Sequence, residues 1–145
     1  APMQMATSSN LPKIELSEGS EHTIKMLNSG KDGTMVFEPA VIKVSVGDTI
    51  HFKATDLSHN SASMAGMIPS GADSWAGMLS QDISVTLDKE GVYVYQCDPH
   101  VMMAMVGVVQ VGSAVNMAEV QEAATQQKSS FIMNGTRLES YLSQL

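Results

Sequence analysis

One cysteine in 145 residues excludes an internal disulfide, so Cys97 is a free thiol, a metal ligand or half of an intermolecular bridge. No apolar run approaches the ~18–20 residues that cross a bilayer, so membrane insertion is not expected. Basic residues are few, eight against fifteen acidic ones, and the formal charge of −7 argues against nucleic acid or an anionic membrane as a partner. G-x-S-x-G, phosphate-loop and Rossmann glycine patterns are all missing, which removes the common hydrolytic and nucleotide-binding readings. The first ten residues, APMQMATSSN, lack the charged start and apolar centre of a secretory signal, as in a mature processed chain or a cytoplasmic one.

What is present is a globular composition, 43 % hydrophobic and 16 % charged, in a chain that suits one domain with a real core. Residues 1–20, rich in Ser, Gln, Asn and Glu, read as a flexible N-terminal extension. From 21 to 112 the chain breaks into short strand-like pieces: Thr23–Leu27, Met35–Glu38, Val41–Val46, Thr49–Ala54, Ile83–Leu87, Val92–Gln96 and Val106–Val111. Gly-bearing turns separate them, which points to an antiparallel sandwich or barrel. The interval Asp56–Asp82 is long, Ser/Gly/Ala/Met-rich and irregular, with a helical turn expected inside it; such segments are usually functional or mobile.

Residues 113–145 change period. Asn116 with Glu119 three residues on is a capping-box pattern, and Leu138, Tyr141, Leu142 and Leu145 share one face of a second helix. The expectation is a helical pair packed on the same domain.

The chemistry concentrates in Cys97-Asp98-Pro99-His100-Val101-Met102-Met103-Ala104-Met105, a loop between two strands. A thiolate, an imidazole and thioethers within nine residues suit neither structural zinc, which takes four Cys or His ligands, nor hard cations, which take oxygens. Two imidazoles and a thiolate with a long axial thioether form the blue-copper set. The second imidazole must come from elsewhere, and His59, in the polar loop after Thr49–Ala54, is the best placed. Taken singly, a cysteine at a strand end is more often a small buried hydrophobe, and His59 a surface histidine. His22 and His51 read as solvent-facing strand residues. Met26, Met78, Met117 and Met133 read as core fillers, while Met64, Met67, Met102 and Met103 could pack loops or form an apolar docking patch around His100.

Residues 20–145 resemble the pseudoazurins, small cupredoxins, in Met26-Leu27-Asn28, Met35-Val36-Phe37-Glu38-Pro39-Ala40, Gly47-Asp48-Thr49, His59-Asn60, Met67-Ile68-Pro69, Cys97-x-Pro-His100 and Met105-Val106-Gly107. The resemblance implies a mainly β, cupredoxin-like Greek-key β-sandwich with two C-terminal α-helices. It implies one type 1 copper ion on His59, Cys97 and His100, with Met105 axial. Met103 has the spacing of the amicyanin axial ligand; Met105 is preferred because it abuts the closing strand. Asn60 resembles the asparagine that joins the ligand loops with its N–H toward the sulfur, and Met35 the methionine packed near the exposed histidine. Pro99 stiffens the loop and removes a backbone donor.

The family's role implies a non-enzymatic, monomeric electron carrier of the periplasm, serving redox partners such as copper nitrite reductase in denitrification or a c-type cytochrome. The alternative is a copper chaperone or store using the methionines. One departure stands out: pseudoazurins ring the exposed histidine with lysines, whereas 54–88 and 97–111 here contain no Lys or Arg.

Overall fold

The computed structural model describes residues 13–145, so most of the expected N-terminal extension lies outside the described residues. Among the described residues eight strands form two four-stranded sheets. They are β1 (Glu21–Gly30), β2 (Gly33–Glu38), β3 (Val41–Val44), β4 (Thr49–Lys53), β5 (Ala62–Ser63), β6 (Ile83–Thr86), β7 (Gly91–Gln96) and β8 (Val106–Val111). One sheet has the order β2-β1-β4-β6 and the other β3-β8-β7-β5. The pairs β1/β4 and β3/β8 are parallel, so the sheets are mixed rather than antiparallel as expected. The cause is topological: β3 lies in the opposite sheet, and the chain that crosses to it and back lays β4 along β1 in the same sense.

Alternation explains β1, β4 and β6 of the first sheet. In β1 His22, Ile24 and Met26 turn inward while Glu21, Thr23 and Lys25 face water. β7 and β8 do not alternate, because both of their faces are covered. Tyr93, Tyr95 and Val109 enter the core between the sheets, while Val92, Val94 and Val108 enter a second core. Two helices, α1 (Met117–Gln127) and α2 (Arg137–Leu142), close that second core through Val120, Ala124, Leu138, Tyr141 and Leu142. The expected apolar face of α2 is thus the buried one.

Several local expectations change. The Asn116 side chain makes no cap bond to α1. Its buried amide instead accepts the Val92 N–H (2.6 Å) and donates to the Val92 carbonyl (2.9 Å), stitching the helix start to β7. Residues 13–17 are not free: the Ile14 N–H donates to the Gln144 carbonyl (2.9 Å) and the Ser17 N–H to the Lys43 carbonyl (2.8 Å). The 56–82 interval contains β5 and hydrogen-bonded turns but no helix. Met26 is a core filler, whereas Met78 and Met133 are 76 % and 49 % exposed, and Met117 is half-buried. Neither exposed methionine lies under a covering element.

His22 also departs from expectation. β1 starts two residues earlier than the apolar pattern suggests, which brings His22 into phase with Ile24 and Met26. It is buried, its Nε2 2.8 Å from Asp48 Oδ2 and its Nδ1 3.0 Å from Ser17 Oγ. His51 is on the outer face, between Glu21 and Ser84.

Burial alone would push the Asp48 carboxyl up, but hydrogen bonds from His22 and the Ser45 amide, with the charge of His22, hold it below its ordinary value. A carboxylate with a depressed folded pKa stabilises above its unfolded pKa, and that contribution is lost as pH falls through the folded one. Asp48→Asn should therefore lower the neutral-pH melting temperature by about 4 °C. In thermal melts the gap from the parent chain should close as pH falls below about 4.

Candidate metal centre

Two loops meet at one end of the sandwich. The first leaves β4 at Lys53, turns through Ser58 (φ 71°) and presents His59. Ser80 fastens it: the Ser80 N–H donates to the His59 carbonyl (2.9 Å), and the Ser58 N–H donates to Ser80 Oγ (2.8 Å). The second loop joins β7 to β8. The Cys97 N–H donates to the Met105 carbonyl (2.9 Å) and closes the loop at its base. Between them Asp98–Met103 winds as a 3-10 turn started by Pro99, and Ala104 (φ 57°) reverses the chain into β8.

Asn60 joins the two loops. Its Oδ1 accepts the Asp98 N–H (2.7 Å), and its Nδ2 donates to Asp98 Oδ2 (2.9 Å) and to the Gly77 carbonyl (3.1 Å). Gln96 Nε2 donates to the other Asp98 oxygen (2.9 Å).

Among the described residues, His59, Cys97 and His100 form a group whose donor atoms lie within 4.8 Å of one another. Cys97 Sγ is 3.6 Å from His59 Nδ1 and 3.3 Å from His100 Nδ1. A first-row metal ~2.0 Å from nitrogen and ~2.3 Å from sulfur in a trigonal plane keeps the two ~3.7 Å apart, so the spacing fits one ion. Met105 is fully buried in the inter-sheet core alongside Cys97. Met103, its competitor in spacing, is half-buried within the 3-10 turn. His59 and Cys97 are likewise fully buried, and only His100 of the four is partly open.

The protonation pattern suits a cation. His59 Nε2 lies 2.7 Å from Asn28 Oδ1, and an amide oxygen can only accept, so the ring proton sits on Nε2 and the Nδ1 lone pair faces Cys97. Burial and the neighbouring His100 ring push the His59 pKa down, with Asp56 partly opposing, so the ring is neutral at neutral pH. Burial pushes the Cys97 thiol up, the Asn60 and His100 amides pull it back, and Asp98 adds to the rise. Such a thiol is inert as a nucleophile, yet a coordinated cation displaces its proton outright.

The remaining expected residues are less uniform. Met35 (φ 53°) is half-buried against the inter-sheet core, and Pro99 is exposed at the start of the turn. The four methionines expected near His100 divide. The Met64 N–H donates to the Val94 carbonyl and the Val94 N–H to the Met67 carbonyl, both 2.9 Å, so that turn docks on β7. Met64 and Met67 are therefore buried in the second core and cannot form a surface patch. Met102 is 53 % exposed and Met103 partly so. Asn28 was not foreseen as a site residue; the Met-Leu-Asn stretch was its only signal.

A family model for copper binding proteins of the plastocyanin/azurin family matches residues 24–112. The pseudoazurin of Methylorubrum extorquens is 40 % identical over 128 residues, covering 88 % of this chain and 84 % of the relative. The chain belongs to the pseudoazurin family. The pseudoazurin of Paracoccus pantotrophus is 38 % identical over 107 residues, 74 % of either chain. The crystal structure of native pseudoazurin from Hyphomicrobium denitrificans superposes with a TM-score of 0.78 at 36 % identity, covering 86 % of this chain and 98 % of that one. As a pseudoazurin the chain is a copper protein, and the soft S/N donor set fits type 1 copper.

Proposed function

We propose that this pseudoazurin is a type 1 copper electron carrier in which His59 Nδ1, Cys97 Sγ, His100 Nδ1 and the Met105 thioether would hold the ion. The observation that carries it is the neutral His59 ring, oriented by Asn28 with its lone pair toward the Cys97 sulfur. Copper, when bound, supplies a one-electron couple between Cu(I) and Cu(II). The chain's own residues do the rest. Asn60 locks the two ligand loops together, so the donors keep one arrangement and little reorganises between oxidation states. Full burial of His59, Cys97 and Met105 excludes water, and the four donors leave no position for a substrate.

His100, the least covered donor, is the point of closest approach for a partner. The family role supports a monomer in the periplasm that donates single electrons to a reductase such as copper nitrite reductase, or exchanges them with a c-type cytochrome. Titration of the apo-protein with Cu(II) tests the reading. One equivalent should saturate an intense visible thiolate-to-copper band; exchangeable Cu(I) binding without that band would identify a copper store instead.

Docking by this protein is apolar. The segments 54–88 and 97–111 have no basic residue, while Met102, two residues from His100, is exposed. The rate of electron transfer to an acidic reductase should change by less than about twofold between ~0.05 and ~0.5 M salt, measured by stopped flow. A steep fall with salt would show steering by lysines elsewhere on the surface.

A further inference from the structure

Three consecutive carbonyls of the ligand loop, those of Met102, Met103 and Ala104, are all taken by one segment at the far end of the chain. The Met102 carbonyl accepts the N–H groups of Ile132 (2.7 Å) and Met133 (3.1 Å). Asn134 Nδ2 donates to the Met103 carbonyl (3.2 Å), and Arg137 Nη1 to the Ala104 carbonyl (3.3 Å). Arg137 also reaches the β1–β2 hairpin: Nη1 donates to the Met35 carbonyl (2.9 Å) and Nη2 to the Asp32 carbonyl (3.3 Å).

Arg137 is the chain's single arginine and is 8 % exposed. Among the described residues it makes no ion pair with a carboxylate; its fork is spent on backbone carbonyls. Two of those carbonyls belong to non-glycine residues in the left-handed region, Met35 (φ 53°) and Ala104 (φ 57°). Such a conformation costs ~1 kcal/mol or more and persists only where the surroundings hold it. Ala104 is the residue that delivers Met105 into the site, and the two N–H groups of Nη1 hold both carbonyls while Nη2 takes that of Asp32, a fixed planar arrangement that the single, rotatable nitrogen of an ammonium does not reproduce.

We infer that the segment Ile132–Arg137 is part of the metal centre: a clamp on the loop between His100 and Met105, with Arg137 as a positioning residue for Met105. The clamp rests on the ligand assignment proposed above. It gives the C-terminal helical pair a role beyond covering the second core, because α2 begins at Arg137 and thereby ties the loop to the helix.

The test uses the copper-loaded full chain and three variants, Arg137→Gln, Arg137→Lys and Asn134→Gly. The last keeps the left-handed backbone at 134 (φ 57°) and deletes only the side-chain bond to the loop. Arg137→Gln should release copper to a chelator ~10-fold faster, as is usual when a partner behind a ligand is lost. It should also redistribute the visible charge-transfer bands and shift the reduction potential. Arg137→Lys should not restore the parent spectrum, and Asn134→Gly should move the same readouts in the same direction by less. Should Arg137→Gln not fold, Asn134→Gly decides alone.

A merely structural role would lower the apo-protein melting temperature while leaving spectrum, potential and copper release at parent values, and that result overturns the clamp. If the parent chain shows the thiolate band and Asn134→Gly matches it in all three readouts, the clamp fails while the ligand assignment stands. If the parent chain lacks the band, both fall.

Discussion

Cys97→Ser should abolish the intense visible absorption of the Cu(II)-loaded protein, reducing it by more than about tenfold, while leaving the fold intact. The band requires a soft, easily oxidised sulfur bonded to copper, and a serine oxygen is hard and held as a neutral hydroxyl. Copper affinity should fall as well, because the site loses its one anionic donor and keeps two neutral imidazoles. The fold should survive because serine is close in size to cysteine and is not left unsatisfied. The Nδ1 atoms of His59 and His100, 3.6 and 3.3 Å from the present sulfur, can accept its proton. Visible spectroscopy and a melting curve on one sample separate the two effects, with stability expected to change by only about 1 kcal/mol. A surviving band would remove Cys97 from the site.

Gly107→Ala should be the most damaging single methyl group in the sandwich. Gly107 faces Tyr95 across the β7/β8 ladder. A Cβ there would fall on the Tyr95 ring at Cζ and the hydroxyl, with Cε2 2.6 Å away. The ring cannot retreat. It is fully buried and packs edge-on against Phe37 and Phe52, with ring centroids 4.8 and 4.9 Å apart. The expected loss is about 3 kcal/mol or more, near 10 °C in melting temperature. Tyr95→Phe should not rescue it, because the phenyl carbons remain in the way even when the hydroxyl, which has no partner among the described residues, is gone. Because Gly107 follows Met105 by two residues, the loaded variant should also lose copper more readily. A melting temperature within a degree or two of the parent would show that the two strands can separate locally.

The parts of this protein that were legible in its sequence are those in which a residue's role depends on near neighbours. Cys97, His100 and Met105 announce themselves because a thiolate, an imidazole and a thioether share one loop, and β3 and β4 show their inward faces by alternation. His59 is thirty-eight positions from its partner and needed the family pattern to be singled out. β7 and β8 gave strands but not faces, because helices cover the side that water would otherwise mark with polar residues. Arg137 was invisible for a different reason: its partners are carbonyls of Asp32, Met35 and Ala104, and a carbonyl is the same whichever residue bears it. Asn116 illustrates the opposite hazard, a local capping pattern overridden by a tertiary bond to Val92. Met64 and Met67 are left open between loop packing and a docking patch, because the turn that docks them on β7 is irregular.

The most direct test of the account is cyclic voltammetry of the copper-loaded protein at neutral pH. A pre-arranged set of two imidazoles, a thiolate and a thioether should give one reversible one-electron wave, with the visible band vanishing on reduction and returning in full on reoxidation. An absent or irreversible wave, or copper lost on reduction, would contradict the assignment of this chain as an electron carrier.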